Sequence, residues 1–97
     1  GGSGVNREIP IRAGEGVNHI VPHALCLPPQ REEPLYFRVC EERRDCRIVV
    51  RAGKKVLRKK KERVVKPAEM VVFTLKQKHL RAIPSNADVI TVEVTDG

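Results

Sequence analysis

The stretch GKKVLRKKKERVVK, residues 53–66, holds Lys54, Lys55, Arg58, Lys59, Lys60, Lys61, Arg63 and Lys66 against the single acid Glu62. Its chemistry would be anion recognition, since clustered Lys and Arg neutralise phosphates or carboxylates through contacts that weaken as salt rises. The chain as a whole carries a formal net charge of +7. That excess lies entirely within residues 54–66, and elsewhere acids and bases balance. This is a neutral domain with one basic ribbon.

Two readings of the ribbon compete. As a nucleic-acid grip it lacks interleaved aromatics for stacking on bases, a helix to enter a groove, and any nucleic-acid-binding motif. As the edge strand of a sheet it makes direct sense, because lysine on an exposed edge discourages pairing with other chains. The edge reading therefore carries more weight. Arg58, Lys59, Lys60, Lys61 and Arg63 form the candidate interaction surface, with an acidic protein surface as the expected partner and nucleic acid as the alternative.

Other residues with chemical capacity form weaker patterns. His19-x3-His23-x2-Cys26, with Cys40 and Cys46 further on, offers five candidate metal ligands but none of the close pairs that structural zinc prefers. Ordinary half-buried or surface histidines are expected, with His19, Val21 and His23 on one face. Cys40 and Cys46 flank the loop Glu41–Asp45, where a bridge could close, but a buried free thiol packs as a small apolar group. No general base is placed beside any cysteine to make it a nucleophile. Gly14-x-Gly16 starts like a dinucleotide fingerprint, yet His19 stands where the third glycine belongs. Both glycines read as turn residues needing positive φ. Glu32-Glu33 and Glu41-Glu42 read as solvated loop charge, without the cleft that separates catalytic carboxylate pKa values. No catalytic, cofactor-binding or metal site is expected, so the chain itself is not read as an enzyme.

The elements that would position these groups are strands. There are two Phe, one Tyr and no Trp, so Val, Ile and Leu must build the core, and the β-branched ones favour strands. Ile9–Arg12 reads as a first strand, at an edge because of Pro10. Asn18–Leu27, with Pro22 inside, reads as one edge or bent strand. Leu35, Phe37 and Val39 share a face, as do Ile48 and Val50, and Ile90, Val92 and Val94. Gly53-Lys54 fits a two-residue type II′ turn. That register sets Ala52 opposite Lys55, Val50 opposite Leu57 and Ile48 opposite Lys59. Lys59 and Lys61 then share the face of Leu57, and Arg58 and Lys60 take the other. Turns follow at Lys66–Ala68 and Pro84–Ala87, and Lys76–Ile83 forms a helical turn or bent loop.

About seven short strands separated by turn signals predict an all-β chain, an antiparallel β-sandwich of immunoglobulin-like or fibronectin type III-like form. It lacks the Cys–Trp–Cys hallmark of true immunoglobulin domains. Gly1–Gly4 read as a cloning scar or linker, and residues 5–97 as a single domain. No apolar run approaches the roughly 18 residues of a spanning helix, so no membrane contact is expected. Three cysteines, an odd count, argue against a complete disulfide framework and for a reducing, cytoplasmic setting.

Three segments taken together carry a resemblance: IPIRAGEGVNHIVP at 9–22, the strands from Tyr36-Phe37-Arg38-Val39 through Arg47-Ile48-Val49-Val50, and Lys66-Pro67-Ala68-Glu69-Met70. The chain resembles the C-terminal β domain appended to a group of bacterial FAD/NAD-dependent oxidoreductases of the pyridine nucleotide-disulfide type. RAGEGVNHIVP is its most distinctive part, and the similarity covers nearly everything after the linker. The resemblance implies a parent flavoenzyme whose FAD and NAD sites lie in upstream domains. No flavin-binding or redox residue carries over to any position here, and no cofactor is expected in this fragment. An accessory role is implied: contacts with other domains of the parent, with another subunit, or with a redox partner.

Overall fold

A computed structural model describes residues 6–96 of the chain. The expected linker at 1–4, together with Val5 and Gly97, lies outside the described residues. In chain order the elements are β1 (Arg7–Ala13), β2 (Val17–Val21), β3 (Ala24–Leu27), β4 (Glu33–Val39), β5 (Arg43–Ala52), β6 (Lys55–Val65), β7 (Val71–Leu75), α1 (Gln77–Arg81) and β8 (Ile90–Asp96). They form a five-stranded sheet ordered β3-β1-β8-β5-β6 and a three-stranded sheet ordered β2-β4-β7. The fold is all-β, as expected. Eight strands stand in place of about seven because Pro22 and His23 break the segment 18–27 in two: β2 joins the small sheet and β3 the large one.

The alternating aliphatic positions meet between the sheets. Leu35, Phe37 and Val39 of β4 face Ile48 and Val50 of β5 and Ile90, Val92 and Val94 of β8 in one core cluster. All eight are at most 2 % exposed. No polar or charged residue is buried among the described residues, so packing of apolar surface drives this fold without a buried polar network to specify it.

Two expectations about β1 need correction. The sheet is mixed, because β1 runs parallel to β8 over Ile11–Ala13. Nor is β1 an edge strand: its first half, Arg7–Pro10, pairs antiparallel with β3, and its second half pairs with β8. Pro10 sits where one neighbour gives way to the other. Its missing N–H therefore leaves no ladder position unfilled, which is how a proline is tolerated in an internal strand.

The glycines following β1 also divide. Gly16 has φ 74°, as a turn glycine should. Gly14 is required for a different reason, close approach to β8: its N–H donates to the Val92 carbonyl at 2.7 Å. A Cβ there would lie 2.8 Å from Thr91 Cγ2 and 3.0 Å from the Val92 carbonyl oxygen.

Gly14→Ala should therefore lower stability by about 1–3 kcal/mol through overpacking. Adding Thr91→Ser, which removes the methyl group met first, should recover part of that loss. Chemical denaturation of the single and double variants checks both.

Candidate functional site

The ribbon is carried by a β5–β6 hairpin whose turn forms as the sequence predicts. Ala52 pairs with Lys55, and Gly53 has φ 60° while Lys54 is not left-handed. That combination matches type II′, which needs positive φ only at its first central residue. Beyond Val56 the register departs from expectation. Arg51 pairs with Val56 but Val50 pairs with Arg58, so Leu57 is an extra residue in a β-bulge. From there Val49 faces Lys59, Ile48 faces Lys60, Arg47 faces Lys61 and Cys46 faces Glu62.

One inserted residue exchanges the two faces of the strand. Lys59, Lys61 and Arg63 turn to the outer face of the large sheet, and Arg58, Lys60 and Glu62 turn to the side of Val50, Ile48 and Cys46. The expected assignment of lysines to faces is thus reversed, because nothing in the run VLRKKK distinguishes the extra residue.

The five candidate residues take three different roles. Arg58 is half-buried. Its guanidinium lies 4.6 Å from the centre of the Phe73 ring and donates a hydrogen bond to the Thr74 carbonyl. It therefore joins β6 to β7, the edge of one sheet to the edge of the other. Lys60 is exposed and pairs with Glu62 at 3.8 Å, close to neutralising its own side of the strand. Lys59, Lys61 and Arg63 are exposed and form no ion pair among the described residues.

Arg47, which sequence reasoning did not single out, completes the outer face. It stands directly opposite Lys61, with Thr95 on its other side, and it too forms no ion pair among the described residues. Like charges placed directly opposite across two strands repel. Two acids share this face: Glu93 is engaged by Arg51 at 2.5 Å, and Asp45, which the register sets opposite Arg63, forms no ion pair among the described residues. Arg47, Lys59, Lys60 and Lys61 line a shallow depression of about 200 Å³. Val49 lies on this outer face between Lys59 and Glu93. It is 7 % exposed yet stands outside the core cluster, consistent with cover from the aliphatic stems of its charged neighbours.

Other arginines are held by the fold. Arg7 donates to the carbonyls of Ala87 at 3.0 Å and Pro84 at 3.2 Å. Arg38 donates to the Ala68 carbonyl at 2.9 Å. Arg43 donates to the Val94 carbonyl at 2.9 Å and binds Asp96, a contact that pushes its pKa further up.

The remaining constellations do not converge. His19 is exposed, with φ 52°, on β2; His23 lies between β2 and β3; Cys26 is on β3 beside Glu8. No group of three or more His, Cys, Asp or Glu side chains is placed to hold a metal ion among the described residues. All three cysteines are free. Burial of Cys46 pushes its thiol up, away from the reactive thiolate. Glu42 pairs with Arg44 at 3.3 Å, and Glu41 is exposed. The outer face of the small sheet carries one apolar row, Val21, Tyr36 and Val72 across β2, β4 and β7, beside the Asn18–Arg38 pair, and Met70 is exposed just before β7. No helix among the described residues is long and apolar enough to cross a membrane.

His79 in α1 accepts a hydrogen bond at Nδ1 from the Lys76 backbone N–H at 2.9 Å. Its pKa is lowered from 6.5, first by burial and then by Arg58, Lys78 and Lys76. Folding therefore favours the neutral ring, and stability should fall as pH drops through 6.5. His79→Gln keeps an acceptor at the helix start and should flatten that slope in denaturation curves measured across pH 5–8. In a second test, Arg58→Ala should cost about 1–3 kcal/mol, from a carbonyl bond made by a charged donor and a cation–π contact. Lys60→Ala should stay within about 0.5 kcal/mol.

Comparison of the chain with protein-family models, with curated proteins and with solved structures finds no match in any of the three.

Proposed function

We propose that this domain is a non-catalytic contact module whose basic outer sheet face docks on an acidic protein surface. The observation that carries this reading is the direct opposition of Arg47 and Lys61, flanked by Lys59 and Arg63, with no acid paired to any of them among the described residues. A strand edge needs lysines only along its rim to resist aggregation. Repulsion between neighbouring strands serves no such purpose, and an acidic partner would relieve it. Such a face steers association and discriminates among partners more than it adds raw affinity.

The resemblance of the sequence to the C-terminal β domain of bacterial FAD/NAD-dependent oxidoreductases places this module, in our proposal, as an accessory part of a larger cytoplasmic flavoenzyme. FAD and NAD would be bound by other domains, and the acidic surface would belong to the parent protein or its redox partner. We read the architecture as a variant of the immunoglobulin-like or fibronectin type III-like sandwich, a reading supported by two sheets closing over one aliphatic core.

A nucleic-acid interface is the second reading. The one-faced alignment of Arg47, Lys59, Lys61 and Arg63 favours it, because phosphates follow one another along a strand as these cations do. Against it, Phe37 and Phe73 are core residues and Tyr36 lies on the outer face of the small sheet, so the basic face has no aromatic to stack on bases.

The test compares two charge-reversal variants of the chain. Lys59→Glu, Lys61→Glu and Arg63→Glu together remove the outer face; Arg31→Glu, Lys54→Glu and Lys66→Glu together make the same change in net charge elsewhere. Fluorescence titration with polyglutamate at about 50 mM salt, where the electrostatic contribution is large, should show binding by the parent chain and the second variant and at least a tenfold loss in the first. Equal losses in both variants would reduce the interaction to net charge and refute a localised face. Tighter binding to duplex DNA than to polyglutamate, lost only in the first variant, would establish the second reading instead.

A further inference from the structure

The basic face borders an open sheet edge. β6 ends the five-stranded sheet and pairs only with β5. At Arg58 the edge is tied to β7 through the Thr74 carbonyl, but from Lys59 to Val65 no strand follows it among the described residues. Along this stretch Lys59, Lys61 and Arg63 stand on the outer face at every second residue. The repeat is about 6.8 Å, twice the rise per residue of an antiparallel strand.

We propose that the β6 edge from Lys59 to Val65 accepts an extended acidic peptide segment as a ninth strand, with Asp or Glu at alternate positions. The inference rests on the acidic-partner reading above and specifies the form the partner takes. A strand laid beside β6 places its own side chains opposite those of β6 with the same two-residue period. Its acids would therefore meet Lys59, Lys61 and Arg63 in turn, with Arg47 one strand further in, directly across from Lys61.

The opposite face of β6 demands something different. Lys60 and Glu62 already neutralise each other there, so uncharged residues suit the intervening positions of the guest. The main-chain groups on the open side of β6 supply affinity for any strand, and the side-chain ladder supplies the choice among strands. The same lysines that repel a second copy of β6 attract this guest, so edge protection and partner selection come from one set of charges.

Labelled nine-residue peptides with Glu at every second position and Thr or Val between test the proposal by fluorescence anisotropy. Two further peptides carry backbone N-methyl groups, one at the odd positions and one at the even. In an added strand only alternate residues bond to the neighbour on a given side. One N-methylated peptide should therefore lose at least tenfold in affinity while the other binds nearly as the parent does. A peptide of the same composition with its acids in one block should bind at least threefold more weakly than the alternating one. If both N-methylated peptides bind as the parent peptide does, strand addition is refuted and an acidic contact through side chains alone stands. If no peptide binds at about 50 mM salt while polyglutamate does, strand addition is again refuted. If neither binds, the acidic-partner reading falls with it.

Discussion

A single extra residue in β6 governs how this molecule presents itself. Without the bulge at Leu57, Lys59 and Lys61 would lie on the core side of the sheet, opposite Ile48 and Cys46. With it, Arg58 pairs with Val50 and the alternation shifts by one. Three consequences follow from the same shift. Arg58 reaches Phe73 and the Thr74 carbonyl, tying the edges of the two sheets. Lys60 and Glu62, which share a face in either register, are carried to the side of Ile48 and Cys46, where they pair. Lys59, Lys61 and Arg63 gather with Arg47 on the outside of the sheet. A bulge is a local distortion, but a period-two structure passes its effect along the whole remaining strand.

The two kinds of cation are used differently. Arg7, Arg38, Arg43 and Arg58 direct their guanidinium groups at backbone carbonyls and bind loop to strand, strand to strand or sheet to sheet. The planar fork of arginine, with donors in fixed directions, is suited to that work. Lysine, a hydrated point charge on a flexible stem, is left on the surface at 59 and 61. Arg47 and Arg63 are the arginines that join the lysines, without ion pairs among the described residues. Beneath them lies a core with no buried polar or charged residue among those described, so apolar packing carries the interior and the arginine contacts tie its edges.

Much of this architecture was legible in the sequence, wherever one side chain pattern admitted one outcome. Leu35, Phe37 and Val39, and likewise Ile90, Val92 and Val94, alternate too strictly to be anything but half-buried strands, and they are the core. Gly53 fixed the turn because only a positive φ completes a two-residue hairpin of that type. The bulge was not legible, because both registers leave cations on both faces of the far half of β6 and the pattern does not choose between them. The bulged register is the one in which Arg58 meets Phe73 and the Thr74 carbonyl, on a strand remote in sequence. The part played by Arg47 is hidden in the sequence for the same reason, since it depends on the residue opposite. The partner exchange of β1 and the break at Pro22 are likewise decided by neighbours remote in sequence.

The basic surface depends on Arg47 and Lys61 facing each other. A double-mutant cycle measures that pairing directly. Arg47→Glu and Lys61→Glu, separately and together, would be compared by urea denaturation at low salt. Opposed on one face, each single reversal turns a repulsive pair into an attractive one and the double reversal restores repulsion, giving a coupling of about 0.2–1 kcal/mol that shrinks as salt is added. Were the effects simply additive at low salt, the two side chains would not share a face, and both the bulged register and the basic surface built on it would be wrong.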